Sequence, residues 1–495
     1  MAGSRATLVV VSSTTSFARP LFLLRGGTDP DDVAALAAAL RDRIEAGSQT
    51  PGGAMARGGA GDPAAGNGQG DRAAGRAPGQ LPPGDGPSGE PRPLLVPIGP
   101  GEDPATVRAD LARRLAPDGP AARPESDLLL RTSGSSTGTG ALVAMSMAAL
   151  TASARATHAR LGGPGTWVLA LPAHHVAGLQ VLIRSLIAGR EPVVVNTGGG
   201  FRPDALADAI ERALAPRPGA PVRVPLVPTQ LVRVLAPGQE RAAGALARVD
   251  AVLLGGAAAD PDLLQRARAA GVNVVTTYGM SETGGGCVYD DLPLDGVEVR
   301  IADPDAAGVG RIVLSGPVLA AGYAEAGARP AGAAVFRERA GSAPDGAVVR
   351  RELLTSDLGR LVPGPDGGCR LAVLGRVDDI IITGGVKVAP SEVEEVLTTL
   401  PGVAQACAVG VPDAEWGSAV VAAVVPDGDV DGGRGAWVQR LHAAARERLD
   451  GAHAPKRIVA VDALPLRGPG KVDRRAVARL FTVTSEGAAD RDIRP

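Results

Sequence analysis

Several short stretches of this chain set hydroxyls, glycines, a carboxylate or a single ammonium where an anionic ligand could be handled. RTSGSSTGTGALVAMS at 131–146 follows the apolar DLLL and is built of Ser, Thr and Gly. Glycines let the backbone approach an anion closely, while hydroxyls and unpaired N–H groups donate to its oxygens. The stretch is not GxxxxGK[ST], because the lysine is missing, so the P-loop nucleoside triphosphatases are excluded. TTYGMSETGGG at 276–286 follows the strand-like VNVV and offers an aromatic ring to stack on a base. In it Ser281 can donate to a phosphate, and Glu282 can hold a hard divalent cation through oxygen. Asp357 in LLTSDLGRL suits ribose hydroxyls, Arg376 stands beside Asp378 and Asp379 in GRVDDIIITGG, and LPLRGPGKVDRRAV presents Lys471 in a Gly/Pro frame. Singly, each of these is the composition of a linker, a turn, a cap or a solvated charge. Their order along one chain is what calls for a common explanation.

A different question is raised by VLIRSLIAG at 181–189, where Arg184 interrupts an apolar helical pattern. Burying an unpaired charge costs several kcal/mol, and arginine does not deprotonate to avoid it. No acidic residue lies within 169–189, so the expected anion is a distant Asp or Glu or a carboxylate on a ligand. The competing arrangement is a narrow solvated face made of Gln180, Arg184 and Ser185.

The elements that must position these residues read as α/β. At 495 residues, two or three domains are expected. TDPDDVAALAAALRDRIEAG at 28–47 is a helix with an acidic start, Pro30 in its first turn and Gly47 as a stop. Residues 48–93 are dense in Gly, Pro and Ala and cannot bury enough apolar surface to offset chain entropy, so a disordered insertion is expected there. Beyond it the runs PLLVPIG, TWVLALP, EPVVVN, RVPLVP, DAVLLGG and VNVVTTYG alternate with helical patterns such as DALADAIERALA and DPDLLQRARAAG. This alternation predicts a large amino-terminal domain, 1–375, of largely parallel sheets packed with helices. A small α+β unit follows over 376–495.

The net charge is −2 and aromatics make up 2% of the chain, so neither a basic nor a base-stacking nucleic-acid surface is indicated. Three scattered cysteines, Cys287, Cys369 and Cys407, suggest neither disulfides nor a zinc site and suit a cytoplasmic setting. No stretch has the roughly 20 apolar residues needed to span a bilayer. Association of identical chains is compatible with the sequence and not readable from it.

Taken together over 125–480, YGMSE, the Asp of TSD, GRVDD with its GG loop, and GPGK resemble the adenylate-forming superfamily of acyl-CoA synthetases, luciferases and nonribosomal adenylation domains. The resemblance implies ATP, Mg²⁺ and coenzyme A as ligands, with a small-molecule carboxylic acid as the partner substrate. Thr132, Ser133, Gly134, Ser135, Ser136, Thr137 and Gly138 would cradle the ATP phosphates. Thr276, Thr277 and Tyr278 would line the adenine pocket, Ser281 and Glu282 would meet the α-phosphate and the metal, and Asp357 and Arg376 would hold the ribose. Asp378 would be the hinge, near 376–379, about which a mobile carboxyl-terminal lid turns, and Lys471 would bridge the carboxylate and the α-phosphate. The family loop usually runs S-T-G-x-P-K, whereas this one reads S-S-T-G-T-G-A, with Ala141 in the lysine's place. That departure bears on how the β- and γ-phosphates are held.

Within the superfamily, LPAHHVAGLQVLIRSLIAG is similar to the o-succinylbenzoate-CoA ligases of menaquinone biosynthesis. The short segment ahead of the phosphate loop, VPTQLVRVL and LLGGAAADPDLLQRARAAG agree with that likeness. It implies that His175 flanks the acyl pocket and that Arg184 meets a carboxylate of a dicarboxylic substrate. Competing readings are a CoA ligase for another aryl or short-chain acid, a non-catalytic nucleotide-binding relative, and an adenylation domain feeding a carrier protein.

Overall fold

The computed structural model describes residues 19–48, 92–132, 140–215, 220–327, 333–343, 346–365, 367–467 and 471–482. Ser133, Gly134, Ser135, Ser136, Thr137 and Gly138 lie outside these residues, as does nearly all of the 48–93 stretch expected to be disordered. Lys471 is described by its backbone alone.

Short apolar runs become a seven-stranded sheet. Its order is Leu292–Pro293, Gly285–Tyr289, Val274–Met280, Ala251–Leu254, Val222–Leu226, Thr166–Leu169 and Val193–Val194. The last five are mutually parallel. Every residue of Val222–Leu226 and Ala251–Leu254 is buried, which is why these strands read as unbroken apolar runs instead of alternating ones. Helix Pro203–Leu214 covers one face through Leu206, Ala207, Ile210 and Ala213, three and four residues apart.

A second sheet orders Leu21–Arg25, Leu94–Ile98, Leu128–Arg131, Leu142–Met145 and Gly322–Tyr323. It shares one core with helices Met147–Arg160 and Val176–Ile187, where Leu130, Met145, Leu150, Trp167, Leu179 and Ile183 meet. Helix Pro30–Ser48 begins as expected, but it continues through Gly47 for a further residue.

A third sheet departs from the expectation of largely parallel pairing. Glu298–Ala302, Gly310–Ser315, Gly346–Pro363, Val335–Ala343 and Cys369–Arg376 are joined only by antiparallel pairs. Charged side chains interrupt these strands and hide their periodicity; they are accommodated because buried Glu352 gathers Arg300 at 2.9 Å and Arg337 at 3.2 Å.

After Arg376 the chain builds the small carboxyl-terminal domain. Strands Val403–Asp413, Gly417–Pro426 and Arg457–Ala460 form its sheet. Along Gly417–Pro426 alternate residues enter two cores. Val420, Ala422 and Val424 pack with Val393, Leu397, Trp437 and Leu441, whereas Ala419, Val421 and Ala423 pack with Cys407, Val477 and Phe481. Helices Pro390–Thr398 and Gly433–Arg448 therefore cover one face, and helix Arg474–Thr482 covers the other. No helix among the described residues is long and apolar enough to cross a membrane.

Candidate active site

In open α/β sheets, ligands bind beyond the carboxyl ends of parallel strands. Strand Val274–Met280 ends there in the tight turn Ser281–Thr283 and returns as Gly285–Tyr289. The Thr283 hydroxyl holds this turn, accepting from Met280 N at 2.9 Å and lying 2.7 Å from Gly285 O. Gly279 is required by contact, since a Cβ there would fall 2.1 Å from Gly285 O. Ser281 opens the turn half-buried, and Glu282 behind it is 8% exposed. Glu282 is fixed twice: its carbonyl accepts from Ala320 N at 2.8 Å, and its Oε1 accepts from the Tyr323 hydroxyl at 2.7 Å. Its other carboxylate oxygen makes no hydrogen bond with the described residues. A preoriented hard oxygen with spare capacity fits a magnesium ion.

Beside this turn, the Tyr278 hydroxyl donates to Asp357 Oδ2 at 2.8 Å. Burial and the neighbouring Asp357 charge push the Tyr278 phenol well above its ordinary range, so it stays protonated and can donate. Asp357 lies within strand Gly346–Pro363, directly opposite Arg376 in the ladder. The guanidinium of Arg376 lies 3.6 Å from Asp378, in the turn Val377–Asp379 that leads into the small domain. Tyr278, Asp357, Arg376 and Asp378 thus form one continuous group, although up to 100 residues separate them in sequence. Thr276 and Thr277 adjoin it, but their hydroxyls are engaged locally, with Asp290 Oδ1 at 3.1 Å and Leu254 O at 3.3 Å.

Thr132 pinches the base of the phosphate-loop candidate, its hydroxyl accepting from Ala141 N at 2.8 Å. Arginines grip both stems. Arg131 forms a two-armed pair with Glu102, and Arg114 donates to Gly140 O while it pairs with Glu325. Ala141 removes a cation from this loop, yet the segment is entered and left through fixed points.

His175 is the residue at which helix Val176–Ile187 begins, without a side-chain capping bond, and its ring stands against that of His174, with centroids 4.3 Å apart. Arg184 follows nine residues later, about 13 Å along the helix axis at ~1.5 Å per residue. It is 4% exposed, and Gln180 and Ser185 are buried with it, so the solvated-face arrangement does not occur. Nor does a protein carboxylate, one of the two alternatives, pair with it among the described residues. Among the described residues Arg184 donates to Thr157 Oγ1 at 3.1 Å and to the Tyr289 hydroxyl at 3.2 Å, with its guanidinium 4.9 Å from the centre of the Trp167 ring. Two hydroxyls and an aromatic face partly replace water without neutralising the charge. Nε has no partner among the described residues. Burial, and then the charges of Arg184 and Arg223, hold nearby His158 neutral by lowering its pKa to about 4.

Tyr323, Tyr289, Thr157 and Trp167 had no place in the sequence reading. No local pattern marks them, although the chain has three tyrosines and each places its hydroxyl in one of these groups.

Comparison with known proteins agrees with this architecture. The AMP-binding enzyme family matches residues 91–324, and the AMP-binding enzyme C-terminal domain matches 392–471. The chain belongs to the AMP-binding enzyme family. Its particular relatives include a probable 2-succinylbenzoate–CoA ligase of Mycobacterium tuberculosis, 44% identical over 354 residues, which cover 72% of this chain and 84% of that protein. Among solved structures, amide bond synthetase McbA from Marinactinospora thermotolerans is 28% identical, with a TM-score of 0.58 over 79% of this chain and 76% of its own. The o-succinylbenzoate CoA synthetase of Bacillus subtilis, in complex with its acyl-adenylate intermediate, is 25% identical, with a TM-score of 0.56 over 78% of each chain.

Proposed function

We propose that this enzyme joins o-succinylbenzoate to coenzyme A at the expense of ATP, releasing AMP and pyrophosphate, as a step of menaquinone synthesis. The observation that carries the choice of acid is the buried, un-neutralised guanidinium of Arg184 on the helix that His175 begins. In a low-dielectric interior such a charge acts over a longer distance than it would in water. It favours a substrate that keeps a second carboxylate after the first has been activated, and it disfavours an aliphatic tail. The 2-succinylbenzoate ligase relative supports the same choice.

A carboxylate acylates poorly because its leaving group would be oxide. Its oxygen instead attacks the α-phosphorus of ATP, the bond to the pyrophosphate oxygen breaks, and pyrophosphate leaves with the electron pair. Two anions must meet in that step, so fixed positive charge matters most. Lys471 would supply it at the reacting oxygens. Tyr278 and Asp357 would hold the nucleoside, with Asp357 accepting from ribose hydroxyls and Arg376 steadying it. Glu282 would hold magnesium, which when bound neutralises phosphate charge. In the second step the coenzyme A thiolate attacks the acyl carbon and AMP departs. Lys471 must then give way to the thiol, which a hinge at Asp378 would permit. The three cysteines are free thiols, as suits a reducing cytoplasm.

Pyrophosphate release measured across a panel of acids tests the reading. The dicarboxylate should be activated far better than monoacids, and Arg184→Ala should raise its KM strongly with the KM for ATP near normal. Equal turnover of benzoate-type or fatty monoacids would overturn the choice of substrate.

A further inference from the structure

Lys471 begins the short strand Lys471–Val472, which pairs antiparallel with Leu466–Arg467, and the residue that begins the next helix is Arg474. Around Lys471 the backbone pairs Arg467 with Lys471 and Leu466 with Val472, and Asp473 N donates to Pro465 O at 2.7 Å. Asp473 then caps the helix, its Oδ1 accepting from Arg475 N and Ala476 N at 3.1 Å each. The Arg474 guanidinium reaches three separate parts of the small domain. It makes a two-armed pair with Glu394 on helix Pro390–Thr398, at 2.6 and 3.0 Å, and donates to Ala408 O on strand Val403–Asp413 at 2.6 Å. Its Nε lies 3.6 Å from Asp379, the residue next to Asp378 in the turn that follows Arg376. Glu394 is itself fixed, since its Oε1 also accepts from Ala408 N at 2.8 Å.

One planar cation therefore ties the turn at 377–379 to the helix that starts three residues after Lys471, bridging more than 90 residues of sequence. The fork geometry matters here, because a lysine ammonium cannot serve two carboxylate oxygens, a carbonyl and a second carboxylate from one position. A lid that must bring an ammonium to a defined point needs its hinge and the lysine's backbone to move as one body. Without such a link, rotation at the hinge would be absorbed inside the domain before it reached the lysine.

We propose that Arg474 is a positioning residue for adenylate formation: by holding Asp379, Glu394 and the start of helix Arg474–Thr482 together, it fixes the backbone of Lys471 relative to the hinge. The inference rests on the reading of Lys471 and Asp378 given above. It concerns the first half-reaction specifically, because the thioester step is the one in which Lys471 has withdrawn.

The test uses the full chain and measures the two half-reactions separately. Pyrophosphate release in the presence of ATP and o-succinylbenzoate reports adenylation; thioester formation from supplied acyl-adenylate and coenzyme A reports the second step. Arg474→Ala should lower the kcat of adenylation at least tenfold, with the KM values for ATP and acid within twofold of the parent, and should change the second step less than threefold. Arg474→Lys and Asp379→Asn, which keep most of the packing, should lower adenylation about three- to tenfold with the same asymmetry, and they decide the matter if Arg474→Ala does not fold. Equal slowing of both steps, or no slowing of the first, overturns the proposal. The underlying reading fails separately: in that case the parent enzyme activates no acid, or Lys471→Ala forms adenylate undiminished.

Discussion

The hydroxyl of Tyr323 donates to Glu282 Oε1 across 2.7 Å, joining a strand of one sheet to the turn at the end of another. The bond occupies one carboxylate oxygen, and the other makes no hydrogen bond with the described residues. Tyr323→Phe removes the donor and keeps the ring that leans on Phe336 at 5.3 Å. A hydrogen bond to a charged group contributes about 1.5–3 kcal/mol, so loss of its orienting part should raise the magnesium concentration needed for half-maximal pyrophosphate release roughly tenfold. A magnesium titration of the variant and its parent measures this, and an unchanged midpoint would show that Tyr323 does not orient Glu282.

Arg184 depends on two hydroxyls that also lie within 3.0 Å of each other, Thr157 Oγ1 and the Tyr289 hydroxyl. Thr157→Val keeps the shape and removes one partner from a buried cation. Urea unfolding should show a loss of about 1–3 kcal/mol. The KM for o-succinylbenzoate should rise while that for ATP does not. If stability and both KM values stayed at parent levels, the hydroxyl would not be supporting the guanidinium.

His158 gives a pH dependence whose sign is fixed. Its pKa falls from 6.5 to about 4 in the folded chain, with burial the largest cause. The unfolded chain therefore binds this proton below about pH 6.5 while the folded chain refuses it until about pH 4. The stability present above 6.5 is lost as pH falls through that window, at no more than ~1.4 kcal/mol per unit. His174, also lowered to about 4, acts in the same direction. Unfolding free energies at pH 7 and pH 5 should differ clearly, and His158→Gln should shrink the difference. The same pH slope in parent and variant would count against His158 as its source.

Deleting residues 49–91 and joining the ends through a short Gly/Ser linker should leave turnover within about twofold of the parent. The stems flanking this stretch are held by contacts outside it. Arg43, near the end of helix Pro30–Ser48, donates to Pro93 O at 2.5 Å, and Arg19 donates to Arg92 O at 2.6 Å. Arg43→Ala in the full chain, by contrast, should destabilise by about 1–3 kcal/mol, since it leaves half-buried Asp127 without the cation 3.6 Å away. A folded deletion variant without activity would give the stretch a role that composition does not suggest.

Gly279→Ala should abolish adenylation, because the added carbon would meet Gly285 O at 2.1 Å and Gly286 Cα at 2.6 Å, both backbone. Strands Val274–Met280 and Gly285–Tyr289, which flank the turn holding Glu282, would be forced apart. Pyrophosphate release at the parent rate would mean that this turn can open without cost.

Much of the arrangement was legible before any coordinates. Val222–Leu226 and Ala251–Leu254 announce themselves because strands buried on both faces must be apolar throughout. The antiparallel sheet around Glu352 was not legible, because its charges are neutralised by arginines from other strands and no local pattern records such pairings. Tyr278, Glu282, Asp357 and Arg376, which we propose face the nucleotide, could be picked out because each sits in a short stretch of unusual composition. Tyr323 and Arg474 could not, because each acts on a residue more than 40 positions away.

The chain by itself determined the doubly buried parallel strands, the apolar faces of the helices packed on them, and which polar side chains stand at the ends of those strands, since these follow from periodicity and local composition. Only the tertiary structure decided that Arg184 would be buried against two hydroxyls and a tryptophan instead of a carboxylate, that Glu282 would be aimed by Tyr323, and that one arginine would join the turn after Arg376 to the helix after Lys471. The reason is that burial, and with it the cost of leaving a charge or a donor unpartnered, is fixed by whatever segment arrives opposite. Sequence neighbours do not set that.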